Sequence, residues 1–212
     1  MDAEKLQQAI ELYDRFTHEG MDRRDFFGRM TLIAGSTAAA TSLIASIAAS
    51  PAAAAIVPED DRRLTTRTMS FDSSAGYKAY VAEPRTRSLK ATVLVIHENR
   101  GLTGHIRDVA RRIALEGFRA VAPDFLSLSG GTPTNEDAAR DAIGKLDLAK
   151  VTGDAVTMIE TLSKSSRGGK VGAVGFCWGG AFVNRLAVSA GDKLDAGVVY
   201  YGRAPDASEA SK

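Results

Sequence analysis

Val174-Gly175-Phe176-Cys177-Trp178-Gly179-Gly180 joins a short apolar run, Lys170 to Phe176, to a longer amphipathic one, Trp178 to Ala190. The first has the length and composition of a strand buried on both faces, and the second has the apolar spacing of a helix. Gly175 and Gly179 stand two residues either side of Cys177. A side chain lifted clear of a tight strand-to-helix bend needs a strained backbone, and flanking glycines let neighbouring main chain pass without a Cβ clash. G-x-C-x-G is the nucleophile-elbow pattern with cysteine in the serine place. The helix beginning at Trp178 would aim its unpaired N–H groups at the sulfur, which favours a thiolate and a developing oxyanion. A lone cysteine after a strand is otherwise a small buried hydrophobe. Strand, glycines and helix together favour Cys177 as a nucleophile.

Working outward, Ala91 to His97 is a second apolar run that reads as a central strand. Arg67 to Phe71 and Tyr77 to Ala82, separated by Ser73-Ser74-Ala75-Gly76, predict a hairpin. Between His105 and Gly117 the residues Ile106, Val109, Ala110, Ile113 and Ala114 recur at helical spacing. Arg119 to Pro123 is a short strand, Ser127 to Thr134 a loop, and Asn135 to about Ser163 one helical stretch. Ala196 to Tyr201 closes the set as a last strand. Strands alternating with helices over residues 56–212 indicate an α/β domain with a doubly wound, mostly parallel sheet.

In such a sheet, ligands sit outside the carboxyl ends of central strands, so Glu98 and Cys177 would face one crevice. A carboxylate there could take the thiol proton. The alternative for Glu98 is a solvated loop charge paired with Arg100 or Arg107. Gly168-Gly169-Lys170-Val171 lacks the upstream glycine and the Ser/Thr of a phosphate loop, and Cys177 occupies the second-glycine place of a dinucleotide fingerprint. Twenty-seven Lys and Arg against 26 Asp and Glu give a formal charge of +1, too little for a nucleic-acid-binding field. With one cysteine and three scattered histidines, neither a disulfide nor a structural zinc site is expected.

The charge-free run from Met30 to Pro58 divides the chain. Residues 1–55 form a leader: a polar helical stretch, Met1 to Gly20, then Asp22-Arg23-Arg24-Asp25-Phe26-Phe27-Gly28 and a run rich in Ala, Gly, Ser and Thr. Paired arginines, two aromatics and a weakly apolar stretch resemble a twin-arginine export signal. That resemblance implies engagement of the export machinery, a periplasmic or extracytoplasmic location, and cleavage near Ala55, or a membrane tether if the signal is kept. A plain membrane span and a helix of the domain are the two other readings.

His97-Glu98-Asn99-Arg100-Gly101-Leu102, Ile106 to Arg112, Ala122-Pro123-Asp124, the Cys177 elbow and Tyr200-Tyr201-Gly202-Arg203 occur in an order that resembles the dienelactone hydrolases, or carboxymethylenebutenolidases. The likeness runs from about Arg67 to Arg203. It implies an α/β-hydrolase fold and hydrolysis of a small carboxylic ester or lactone through an acyl-cysteine, with no cofactor and no metal. Carried onto this chain, Cys177 would be the nucleophile, Glu98 the carboxylate that helps to form its thiolate, and the N–H groups of Trp178 and Asn99 the oxyanion hole. The family uses a Cys-His-Asp triad, with Asp and His on loops after later strands.

Here only the polar segment Gly202 to Lys212 follows Tyr201. The expectation is therefore an α/β-hydrolase domain at 56–212 that lacks its last strands, its closing helix, and the triad Asp and His. Neither His97, expected to be structural, nor His105, on an exposed helix, nor His18 in the leader suits the triad base, and Asp206 falls before the place of a triad Asp. Catalysis would then be impaired. A non-catalytic, ligand-binding remnant and a thiol redox sensor are the competing functions. Gly197 to Tyr200 is expected to form an exposed apolar edge.

Overall fold

A computed structural model describes residues 3–18, 21–49, 56–71, 76–85, 89–165, 169–205 and 208. The chain divides into two compact units, residues 1–58 and 59–212. The first consists of three helices, α1 (Ala3–His18), α2 (Arg23–Ala34) and α3 (Thr37–Ala49). They share a small core in which Ile10, Leu12, Phe26, Met30, Leu43 and Ile47 are buried. Asp22 caps α2, accepting the N–H of Arg24 and of Asp25, so the two arginines lie in its first turn. Gly35, at φ +85°, ends the helix in the left-handed conformation that glycine tolerates, and its N–H meets the Thr31 carbonyl. The apolar run is thereby broken into two helices. Among the described residues, no helix is long and apolar enough to cross a membrane. The expected cleavage region at Ala52–Ala55 lies outside the described residues.

The second unit is built on a six-stranded sheet. Its strands are β1 (Leu64–Phe71), β2 (Tyr77–Pro84), β3 (Thr92–Ile96), β4 (Arg119–Pro123), β5 (Val171–Phe176) and β6 (Ala196–Tyr200), in the order β1-β2-β4-β3-β5-β6. β1, β2 and β4 pair antiparallel, whereas β4, β3, β5 and β6 run parallel. The hairpin begins earlier than expected, at Leu64, and most of its turn, Ser73 to Ala75, lies outside the described residues. Four helices connect the parallel strands: α4 (Gly104–Leu115), α5 (Glu136–Gly144), α6 (Leu148–Ser165) and α7 (Trp178–Ala190).

The single helical stretch expected at Asn135 to Ser163 is two helices. Asn135 caps α5 by accepting the Ala138 N–H. Asp147 starts α6 by accepting the N–H of Ala149 and Lys150 through Oδ1. A short polar side chain that competes for the backbone in this way begins a new helix, a capping signal that apolar periodicity does not register.

Side-chain alternation along the strands separates the two sheet faces. Phe71, Tyr77, Ala79, Val81, Leu94, Ile96 and Val121 form one core with Met158 and Ile159 of α6 and Phe182 and Leu186 of α7. Tyr80, on the opposite face of β2, receives a hydrogen bond from Arg111 of α4 at 3.0 Å. Right-handed crossovers require this division, because the chain moves from β3 to β4 in one direction and from β4 to β5 in the other. The helices after the adjacent strands β3 and β5 therefore leave on opposite sides. In open α/β sheets such a reversal is where ligands bind, outside the carboxyl ends of the two strands.

Candidate active site

β3 and β5 are in parallel register, with Ile96 opposite Gly175. Glu98 and Cys177 each lie two residues beyond that pair, just past the carboxyl ends of adjacent parallel strands. Cys177 has φ +54° and ψ −116°, one of two non-glycine residues with positive φ among those described. A non-glycine side chain in this conformation is strained and persists only where its surroundings hold it. Three contacts do so. A Cβ on Gly175 would lie 2.1 Å from the Gly179 carbonyl oxygen, and a Cβ on Gly179 would lie 2.5 Å from the carbonyl oxygens of Ile96 and His97. The Cys177 N–H donates to the Tyr200 carbonyl at 3.1 Å. The elbow glycines thus let the start of α7 press onto the end of β3. Cys177 itself is half-buried, and its carbonyl accepts the Ala181 N–H as α7 begins. Trp178 is the first helical residue, so its N–H lies among those with no carbonyl of the preceding turn to meet.

The loop after β3 is held from two sides. His97 is fully buried, stacked against Trp178 with ring centroids 5.5 Å apart. Its Nε2 accepts the Phe125 N–H at 3.2 Å, which leaves Nδ1 to carry the proton and donate it to the Glu98 carbonyl at 2.7 Å. Burial pushes the His97 pKa below its ordinary value, while the Glu98 carbonyl and the nearby Asp124 carboxylate pull the other way. The ring is therefore neutral and structural, as expected. His105 does not project from an exposed helix face. It is half-buried at the start of α4, in a T-shaped ring contact with Phe176.

Glu98 and Gly101 close a turn through the Gly101 N–H and the Glu98 carbonyl at 3.3 Å. The N–H of Asn99, inside that turn, takes no part in the closing bond. The Glu98 side chain accepts a hydrogen bond from the Tyr201 hydroxyl at 3.2 Å. Neither arginine considered as its partner is engaged in that way: Arg100 reaches Glu136 at 3.3 Å, and Arg107 lies over the Tyr80 ring.

The motif residue Asp124, to which the sequence assigns no role, forms a further node. Asp124 follows β4 and accepts the N–H of Leu126, the N–H of Thr132 and the Thr132 hydroxyl. The Thr132 oxygen in turn accepts the Leu102 N–H at 2.8 Å. Gly101, at φ +77°, passes so close to Thr132 that a Cβ would sit 2.3 Å from its Oγ1. The loop bearing Glu98 and Asn99 is thereby tied to the loop after β4. A carboxylate directly after an apolar strand and before a Ser/Gly/Thr loop was the available signal. Asp206 lies outside the described residues, and among the described residues no group of three or more His, Cys, Asp and Glu side chains is placed to hold a metal ion.

The model of the dienelactone hydrolase family matches residues 77–212. A protein of Escherichia coli K12 named as a hydrolase fragment, YghX, is 40% identical over 91 residues, covering 41% of this chain and 78% of that one. A protein of Methylorubrum extorquens named as a carboxymethylenebutenolidase is 34% identical over 131 residues, covering 59% of this chain and 44% of its own length. The crystal structure of a dienelactone hydrolase from Klebsiella pneumoniae superposes with a TM-score of 0.59 at 26% identity, covering 66% of this chain and 60% of that one. The present chain thus spans under half the length of the Methylorubrum relative. With the sheet order, the elbow and the family match in agreement, the chain belongs to the dienelactone hydrolase family and has its α/β-hydrolase fold.

Proposed function

We propose that the α/β unit attacks small carboxylic esters or lactones through Cys177. The observation that carries this reading is the positive φ of Cys177 between two glycines that have no room for a Cβ. Such strain is kept where a side chain must stand at a crevice. In the proposed reaction the thiol proton passes to Glu98, and the sulfur forms a bond to the carbonyl carbon. The oxygen takes the negative charge and is met by the N–H groups of Trp178 and Asn99. Collapse expels the alkoxide, which takes up a proton, and leaves an acyl-cysteine. Water then cleaves the thioester to release the acid and restore the thiol.

With the described His97 committed to its two structural bonds, Glu98 is the base assigned here. Turnover by this chain is accordingly expected to fall short of a complete triad by a factor on the order of 10⁴ to 10⁶. The test is hydrolysis of p-nitrophenyl acetate by the chain and by Cys177→Ala. A slow rate that disappears in the variant supports the assignment, and a brisk rate that survives it refutes the site.

We infer separately that residues 1–55 direct export by the twin-arginine route. Arg23 and Arg24 are both exposed in the first turn of α2, ahead of the apolar run. Replacing both with lysine keeps the charge but removes the guanidinium fork. Loss of export in that variant is expected, and unchanged export would overturn the reading.

A further inference from the structure

Tyr201 is the second non-glycine residue with positive φ, at +40°. It directly follows β6, and three consecutive residues there meet the site in different ways. The Tyr200 carbonyl accepts the Cys177 N–H. The Tyr201 hydroxyl donates to Glu98 Oε1. Gly202 lies so close to the first turn of α7 that a Cβ would be 2.3 Å from the Ala181 nitrogen and the Gly180 carbonyl carbon. The unfavourable backbone at Tyr201 is therefore bracketed by two contacts that fix the chain on the elbow. Its ring lies 6.3 Å from that of Phe176, which itself stacks on Tyr200 at 5.0 Å.

A tyrosine forced into the left-handed region, where Asn or Gly would sit without strain, implies that the side chain is needed in that direction. Glu98 is what its hydroxyl reaches. Glu98 is a loop residue, and a glutamate side chain there has three torsions to lose before its carboxylate can be held at one place.

We propose that Tyr201 is the positioning residue for Glu98: by donating to Oε1 it fixes the carboxylate just past the carboxyl end of β3, so that Oε2 is the oxygen presented for the thiol proton. The inference rests on the reading of Glu98 as the base for Cys177. Tyr201 forms no bond in the reaction. Its hydroxyl reaches Glu98 from just beyond β6, the strand next to the one that leads into the nucleophile. The end of β6 and the residue after it thereby serve both partners of the site, Tyr200 holding the backbone of Cys177 and Tyr201 the carboxylate of Glu98.

The test is alkylation of Cys177 by iodoacetamide at neutral pH in the full chain. The thiol proton goes to Glu98, the sulfur–carbon bond forms and iodide leaves, so the rate reports how well the carboxylate is placed. Tyr201→Phe removes only the hydroxyl and keeps the ring. A half-exposed hydrogen bond to a charged group contributes modestly, so the expected slowing is about threefold. In the Glu98→Gln background the same substitution should change the rate by less than about 1.5-fold, because the group it positions is gone; coupling of this kind separates a pairwise effect from a general one. Tyr201→Asn accommodates the positive φ, removes the phenol and should slow the reaction to a similar extent, which guards against misfolding of a single variant. If Glu98→Gln slows alkylation but Tyr201→Phe does not, the positioning role is overturned and the site reading stands. Equal slowing by Tyr201→Phe in both backgrounds also overturns it, since the tyrosine would then act through the fold. If Glu98→Gln itself has no effect, the base assignment fails and this inference with it.

Discussion

At the level of single residues, the elbow is a problem of space. The glycines at 175 and 179 are required because backbone, rather than a flexible side chain, occupies the place of each missing Cβ. Gly179→Ala would have to separate α7 from the end of β3, and overpacking against main chain is expected to cost about 2–4 kcal/mol. A fall in the urea midpoint with unchanged slope would measure it. His97 makes a second prediction at this scale. Its pKa is depressed by burial below the ordinary 6.5. The unfolded chain therefore takes up the proton first as the pH falls. Stability linked to His97 is fully present above about pH 6.5 and is lost progressively below it, toward the folded-state value. Urea midpoints measured from pH 7.5 to 5 should fall, and the fall should be shallower in His97→Gln; an identical slope in both proteins would show that His97 is not the group responsible.

At the level of elements, the loop after β3 owes its shape to the loop after β4. Thr132 both donates to Asp124 and accepts from Leu102, so one hydroxyl couples the two. Thr132→Val keeps the volume but leaves the Leu102 N–H without that acceptor, and a loss of about 1–3 kcal/mol is expected. Hydrogen exchange at Leu102 should quicken in the variant while that of β5 amides remains slow. If Leu102 exchange is unchanged, the coupling between the loops lies elsewhere. The same scale shows why one expected helix became two. The spacing of Ala139, Ile143, Val151 and Ala155 gives an apolar face, but the Asp147 carboxylate takes two backbone amides and starts a fresh turn. Local capping prevailed over periodicity.

At the level of the whole molecule, β6 is the outer strand of the described sheet, with Val198, Val199 and Tyr200 exposed. A formal charge of +1 offers little repulsion between copies. Self-association that grows with concentration is expected by sedimentation and should weaken in Val199→Lys, because a charge on an edge strand opposes pairing; association unaffected by the substitution would exclude this edge. The sequence alone determined the α/β class, the place of the elbow and the family, because hydrophobic periodicity, punctuating glycines and short motifs are local properties. It placed Cys177 and Glu98 at strand ends by rule, without fixing what either would touch. Only the tertiary structure decided that Glu98 meets Tyr201 rather than Arg100 or Arg107, that Asp124 and Thr132 hold the neighbouring loop, and that His97 gives both ring nitrogens to the backbone. Those contacts join residues up to 103 positions apart in the chain, brought together by parallel pairing of β4, β3, β5 and β6. Side-chain partners across such separations depend on register and on which way each loop turns, and neither is written in the local order of residues.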